Sequence, residues 1–228
     1  MASEVQGGRT FLESLIPPDR DELLGTGREQ RWARGEFLIR AGDAADSAIV
    51  LLSGLVKIHK AAADGDEVIL AIRGPGDLMG EIVAIRRAVR SASATALEPV
   101  TGVVISVSGL RGFLAAHAEA SLALLDLTLG RLYESDARRL EFASAGSLAR
   151  VASRLVELTE RFGSEREDGT IEVGLPINQE ELASWSASSR ESAARALRTL
   201  RDLGLIETSR LRMVVLDLDR LRSHVPRL

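Results

Sequence analysis

Between about residues 30 and 108 the chain alternates short apolar runs with glycine: FLI at 37–39, AIVLL at 48–52, LVKIH at 55–59, VILAI at 68–72 and VTGVVISV at 100–107. Glycines at 35, 42, 54, 65, 74, 76 and 80 punctuate these runs, as tight turns between short antiparallel strands require. A small barrel or sandwich is predicted. From about Leu110 the period changes. Leu122, Leu125, Leu129, Leu132, Asp136 and Arg139 recur at alternating spacings of three and four, with Leu140 and Phe142 near the end of the same stretch. That is the seam of a long helix packing on another helix. It lies either on the chain's own barrel or against a second copy. One seam after a closed barrel needs a partner, so those six residues are expected to form a homodimer interface.

Gly146 and Ser147 interrupt the helix, and a second domain begins with LARVASRLVELTERF, the polar stretch GSEREDG, a short strand (TIEV), two helical segments and a hairpin-like end (IETSRLRMVVLDL). Helix, strand, helix, turn, helix, hairpin is the order of a winged helix-turn-helix. The expected division is a β domain over 1–117, a long dimerisation helix over 118–145 and a helix-turn-helix domain over 146–228, an α+β architecture. INQEEL supplies the first helix start, with Asn178 as N-cap, Glu181 three residues on and Ile177 stapled to Leu182. The second helix begins at Ser188 or Ser189 and stops at Gly204, placed for the left-handed position after Leu203.

At 100° per residue, Ala193, Ala196, Leu197, Leu200 and Leu203 share one side of that helix, and Arg190, Glu191, Ala194, Arg195 and Arg198 share the other. An arginine fork donates to guanine O6 and N7, a carboxylate accepts from cytosine N4, and further arginines hold phosphates. Residues 188–212 carry six arginines (190, 195, 198, 201, 210, 212) against Glu191, Asp202 and Glu207. A solvated amphipathic helix would show the same pattern, and Glu191 could serve as a capping residue instead of reading a base.

Composition narrows the chemistry. The formal charge is −4, so DNA contact must come from a local basic face. All but Lys57 and Lys60 of the 29 basic residues are arginine, which weakens arguments from arginine count alone. With no cysteine, disulfides, iron–sulfur clusters, thiolate zinc and cysteine nucleophiles are excluded. His59, His117 and His224 fall in unrelated segments, so no metal site is expected. No run approaches the roughly 18 apolar residues of a membrane span, and MASEVQGGRT lacks a basic region followed by an apolar run. A cytoplasmic protein without membrane contact is expected. A phosphate loop, a histidine beside a nucleophile and a metal-binding acid cluster are all missing, so the chain does not read as an enzyme.

SRESAAR after QEELASWSAS resembles the S-R-E-x-x-x-R recognition helix of the catabolite activator and fumarate–nitrate regulator (CRP/FNR) family. The resemblance implies that Arg190 and Glu191 read bases, that Arg195 reads a base or phosphate and that Ser189 touches the backbone. Supporting contacts are expected from Asn178, Arg198, Arg210 and Arg212, on a pseudo-palindromic double-stranded operator. Ala187 departs from the pattern, standing where a glycine is common. The N-terminal half is similar to the same family's cyclic-nucleotide-binding β-roll, or jelly roll, through RGEFLIRAGD, LLSGLVKI, DGDEVILAIRGPGD and GDLMGEIVAIRRAVRSASATAL.

In that cassette Gly80 allows close backbone approach, Glu81 can accept from a ribose hydroxyl, and free N–H groups of a short helix opening at Ile82 face an anion. Arg90 supplies the countercharge and Ser91 a hydroxyl. The alternative is that Glu81 and Arg90 pair with each other. Arg86 and Arg87 would widen the cationic site or lie on the surface. The family's purine-facing hydroxyls align with Ser135 and Asp136, where Arg138 or Arg139 would neutralise the new carboxylate. Cyclic AMP is the implied effector. His59 and His117 read as core or surface histidines, so no haem is expected. The competing readings are a ligand-independent regulator whose roll contacts RNA polymerase, and a regulator sensing another anion.

Overall fold

The computed structural model describes residues 9–62, 67–82, 89–174, 177–209 and 212–226. The chain divides into two compact units between Leu132 and Tyr133.

The first unit opens with two short helices that the β-rich pattern did not announce: α1 (Phe11–Ser14), closed by a Thr10–Glu13 capping box, and α2 (Pro17–Gly25), with prolines at its start. Eight strands follow: β1 (Arg28–Trp32), β2 (Phe37–Ile39), β3 (Ser47–Ser53), β4 (Val56–Ala61), β5 (Glu67–Arg73), β6 (Leu78–Met79), β7 (Ser93–Ala96) and β8 (Val100–Ser106). They form two antiparallel sheets, ordered β1-β8-β3-β6 and β2-β7-β4-β5. Trp32, Ile49, Leu51, Met79 and Val100 of the first sheet pack with Ile39, Val56, Ala94 and Ala96 of the second.

The opposite face of the first sheet is buried too. Ala48, Val50, Leu78, Val103 and Ile105 meet Phe11, Leu15 and Leu23 from the N-terminal segment and Leu110 and Phe113 from α3 (Val107–Ala116), which is capped by Ser106. A strand covered on both faces loses its alternation, which is why AIVLL is one unbroken apolar run. The polar β1 is invisible to hydrophobic periodicity, because its place comes from main-chain pairing with β8.

Helix α4 (Ala118–Ser144) runs through the division between the units. Ala120 and Leu124 are buried in the roll's helical layer, with Ala123 and Leu127 partly buried beside them. Leu122, Leu125, Leu129 and Leu132 point elsewhere and are 57, 54, 44 and 55% exposed. The roll therefore does not cover the seam.

The second unit continues through α5 (Ser147–Phe162), β9 (Gly163–Glu165), β10 (Ile171–Gly174), α6 (Gln179–Trp185), α7 (Arg190–Asp202), β11 (Ile206–Ser209), β12 (Arg212–Val215) and α8 (Leu218–Arg222). Its antiparallel sheet has the order β11-β12-β10-β9. Val151, Leu155, Leu158, Leu182, Trp185, Ala193, Leu200 and Met213 are buried in its core. Strand β9 lies inside GSEREDG, a polar stretch expected to connect elements. It forms because Glu165, Ser164 and Gly163 align with Ile171, Glu172 and Val173 across a turn at Gly169. Among the described residues no single helix is long and apolar enough to cross a membrane.

Candidate anion pocket and nucleic-acid interface

In the roll, β6 is followed by Gly80, whose φ of +76° places it in the left-handed region that glycine favours. A Cβ there would fall 2.5 Å from Arg90 Nη1, so the conformation calls for glycine and a larger residue would push the Arg90 guanidinium out of its place. Arg90 is buried; its Nη2 donates to the Ser47 carbonyl at 2.7 Å and to Ser47 Oγ at 3.2 Å. Its Nη1 is buried without a hydrogen-bond partner. Asp46 lies 3.8 Å away but is largely in solvent. Burial pulls the guanidinium below its ordinary pKa, against the opposing fields of Asp46, Asp43 and Glu81. The result is an under-compensated cation with an open donor, the arrangement that suits an anion.

Glu81 is also buried, but the pairing with Arg90 entertained from the sequence is not made. Arg131 takes its place: Nη1 donates to Glu81 Oε1 at 2.7 Å, Nη2 donates to the Leu78 carbonyl at 2.9 Å, and Asp77 lies 3.6 Å away. Sequence reasoning missed Arg131, although a signal existed. Residues 120, 124, 127 and 131 share one helical face, so an arginine stood in the apolar row that meets the roll. Ile82 and Ser91, next in the chain to Glu81 and Arg90, are exposed. Arg86, Arg87 and the rest of the short helix expected after Ile82 from the sequence lie outside the described residues.

On α4, Asp136 pairs with Arg139 at 3.3 Å, both exposed. Arg138 instead donates to Glu157 at 2.8 Å, so neutralisation of Asp136 falls to Arg139. Ser135 is exposed on the same helix. The histidines are engaged locally. His59 contacts Thr95 at 2.8 Å and Glu67 at 3.0 Å, and His117 contacts the Phe113 carbonyl at 2.9 Å and stacks on the Phe113 ring. No group of three or more His, Asp or Glu that could hold a metal occurs among the described residues.

In the second unit, Asn178 and Glu181 form the expected capping box, with Oδ1 accepting from the Glu181 N–H at 2.9 Å and Glu181 Oε2 accepting from the Asn178 N–H at 2.8 Å. Ser189, not Ser188, caps α7. Glu191 is therefore the second helical residue and not the reciprocal capping partner; its carboxylate accepts from Arg195 at 2.5 Å. Arg190 pairs with Glu180 at 2.8 Å, and Arg195 also reaches Ser192 Oγ at 3.1 Å. Arg190, Glu191, Arg195 and Arg198 all lie exposed opposite buried Ala193, Ala196, Leu197 and Leu200. On β12, Arg212 faces Glu172 at 3.4 Å. Arg210 lies outside the described residues.

The turn between α6 and α7 carries the departure seen in the sequence. Ala187 has φ +46°, the one left-handed residue other than glycine among those described, whereas Gly204 after α7 takes that conformation at φ +66° as expected. Arg150 of α5, unremarked in the sequence, supports this turn: it donates to the carbonyls of Ser186 at 2.8 Å and Ala187 at 2.9 Å, and to that of Ala145 at 2.6 Å. A left-handed alanine costs about 1–2 kcal/mol. Ala187→Gly removes that cost, less the added freedom of the unfolded chain, so thermal unfolding should shift upward by about 2–4 °C. A fall in the midpoint would mean that the Ala187 methyl contributes packing that outweighs the strain.

Two families match this layout. Residues 29–117 match the cyclic nucleotide-binding domain and residues 149–224 the Crp-like helix-turn-helix domain. The chain is 32% identical over 188 residues to the CRP-like cAMP-activated global transcriptional regulator of Mycobacterium tuberculosis (strain H37Rv), covering 82% of this chain and 84% of the relative. Among solved structures, FixK2 from Bradyrhizobium japonicum superimposes with a TM-score of 0.78 at 20% identity, over 89% of this chain and 98% of that one, a likeness of fold. A CRP-family transcriptional regulator from Thermus thermophilus gives 0.70 at 28% identity, over 86% and 95%. With a nucleotide-type roll, a long helix and a capped helix pair joined in this order, the chain belongs to the CRP-like DNA-binding transcription regulators, a family of regulators and not of enzymes.

Proposed function

We propose that the protein is a cytoplasmic homodimer whose β-roll binds a cyclic nucleotide, cyclic AMP foremost, and so controls how two α7 helices meet a pseudo-palindromic operator. The observation that carries the ligand claim is the buried, unpartnered Nη1 of Arg90 beside Gly80. A buried donor left without an acceptor is costly, and a cyclic phosphate supplies the missing acceptor and a closer countercharge than the solvent-exposed Asp46. Gly80, Glu81, Arg90 and Ser91 would hold the sugar-phosphate, with Ile82 at the rim, and Ser135 and Asp136 would face the base. A ribose hydroxyl reaching Glu81 competes with Arg131 for that carboxylate, so the nucleotide acts on α4, the helix that carries the dimer seam. Binding would shift a pre-existing equilibrium of these helices so that the recognition helices sit about 34 Å apart.

Titration calorimetry with cyclic AMP and cyclic GMP tests the ligand claim, with micromolar binding of one nucleotide expected. Silence with both, confirmed by a second binding assay, sinks it. The Glu81–Arg131 pair favours a second reading, because a carboxylate satisfied by its own chain needs no ribose. In that reading the roll is a surface for RNA polymerase or takes another anion, and the operator is bound without nucleotide.

For DNA, Ser189, Arg190, Glu191, Arg195 and Arg198 would meet the major groove, with Asn178, Arg210 and Arg212 on the backbone. Arg190→Ala should cost about 1–3 kcal/mol at the specific site and relax preference at one base pair. The comparison is between binding to a selected operator and to its single-base variants. Equal weakening on operator and unrelated DNA would make Arg190 a phosphate contact only.

A further inference from the structure

Five buried side-chain polar atoms lack a hydrogen-bond partner among the described residues. One is Arg90 Nη1, and the other four gather where the end of α4 meets α5 and α6: Glu141 Oε1, Arg154 Nε, Arg154 Nη1 and Trp185 Nε1. Glu141 and Arg154 are 3 and 5% exposed. Their contact is a single bond, Nη2 to Oε2 at 2.7 Å. Arg154 Nη1 lies 3.2 Å from Glu157 Oε2, and Glu157 Oε1 accepts from Arg138 at 2.8 Å. The Arg154 guanidinium sits over the Trp185 ring, 5.6 Å from its centroid, and Trp185 is the last residue of α6.

A buried ion pair is a poor source of stability, because apolar side chains of similar volume do as well or better. What it offers is direction. A carboxylate closes a fork on a guanidinium through two parallel bonds, and along the Nε edge those are Nη2 to one oxygen and Nε to the other. Here the first is made, and the two atoms of the second, Nε and Oε1, are the ones left unpartnered. The fork is half closed.

We propose that Glu141 and Arg154 form a two-position latch, half closed in this structure and fully closed in the arrangement that operator DNA selects, with Arg154 the positioning residue for the DNA-reading helices. This rests on the reading that the chain grips an operator through α7 as a dimer. Turning the guanidinium to complete the fork shifts the plane against which Trp185 lies, and so moves α6, and α7 with it, relative to the end of α4. Neither Arg154 nor Glu141 touches DNA in this scheme. Their effect falls on the spacing of two recognition helices, not on either helix alone.

The direct test is the ¹⁵Nε–¹Hε resonance of Arg154, assigned by its loss in Arg154→Lys, followed as a duplex selected from random-sequence DNA is added. Operator should move the resonance to that of a hydrogen-bonded Nε–H, while a non-operator duplex of equal length leaves it in place. A resonance indifferent to operator overturns the latch. The functional test is Glu141→Leu with Arg154→Met, an apolar replacement expected to keep the melting temperature and to hold single half-site affinity within about twofold. Preference for two half-sites over one should change at least tenfold. A folded double variant with unchanged preference would make the pair structural only. Should that variant not fold, Arg154→Lys, which keeps the charge but cannot fork, carries the same comparison. If the wild type itself shows no preference for two half-sites, the dimer reading fails instead, and the resonance alone decides the latch.

Discussion

Replacing Arg90 with alanine should abolish nucleotide binding while leaving the fold intact. Two charge-assisted hydrogen bonds to a phosphate, at about 1.5–3 kcal/mol each, are worth roughly 3–6 kcal/mol together. Affinity should then fall by about two to four decades, which calorimetry would read as loss of heat. The cost to stability runs the other way. Arg90 is buried with its Nη1 unpartnered and its pKa pulled down by burial, so the free protein gains little from the charge. Its melting temperature should hold or rise in Arg90→Ala, with nonspecific DNA affinity unchanged. A site kept strained for its ligand behaves in this way. Unchanged nucleotide affinity would remove Arg90 from the site, and a collapse of the fold would make it a structural residue.

The second large effect belongs to the seam. Leu122, Leu125, Leu129 and Leu132 are about half exposed on one edge of α4, and covering a leucine fully is worth about 1.5–3 kcal/mol. Four from each copy, at about half that value because each is already half covered, contribute roughly 6–13 kcal/mol, the same order as the cost of association, so losing even two of them should tip the balance to monomer. Leu125→Glu with Leu129→Glu puts four carboxylates into that interface. Sedimentation should then report a monomer at about 10 µM, and affinity for a two-half-site operator should fall at least a hundredfold, while each unit stays folded because its core is untouched. A dimer that survives both substitutions would place the interface elsewhere.

How much of this was legible beforehand differs by element. The recognition helix was plain, since its caps, its two faces and Gly204 are local features whose physics operates within a few residues. The break at Gly146 and the wing hairpin were legible for the same reason. The seam was visible as a period, but that the roll leaves it uncovered is known only from exposure, and exposure depends on what else the roll buries. Strands β1 and β9 escaped because main-chain pairing places them and side-chain pattern does not.

The pocket divides in the same way. Gly80, Glu81, Arg90 and Ser91 stood out in the sequence through the resemblance of their segment to a phosphate-binding cassette. Which carboxylate meets which arginine did not, because Arg131 and Glu81 are 50 residues apart and their contact exists only once the helix lies on the roll. The half-closed fork of Glu141 and Arg154 likewise had no trace in the order of residues. Sequence by itself determined the long helices, the apolar strands and the class of each face, through interactions that act over one or two turns. Tertiary structure decided the partners of the buried charges, since burial removes water as an alternative partner and leaves each group dependent on whatever distant segment the fold brings within about 3 Å.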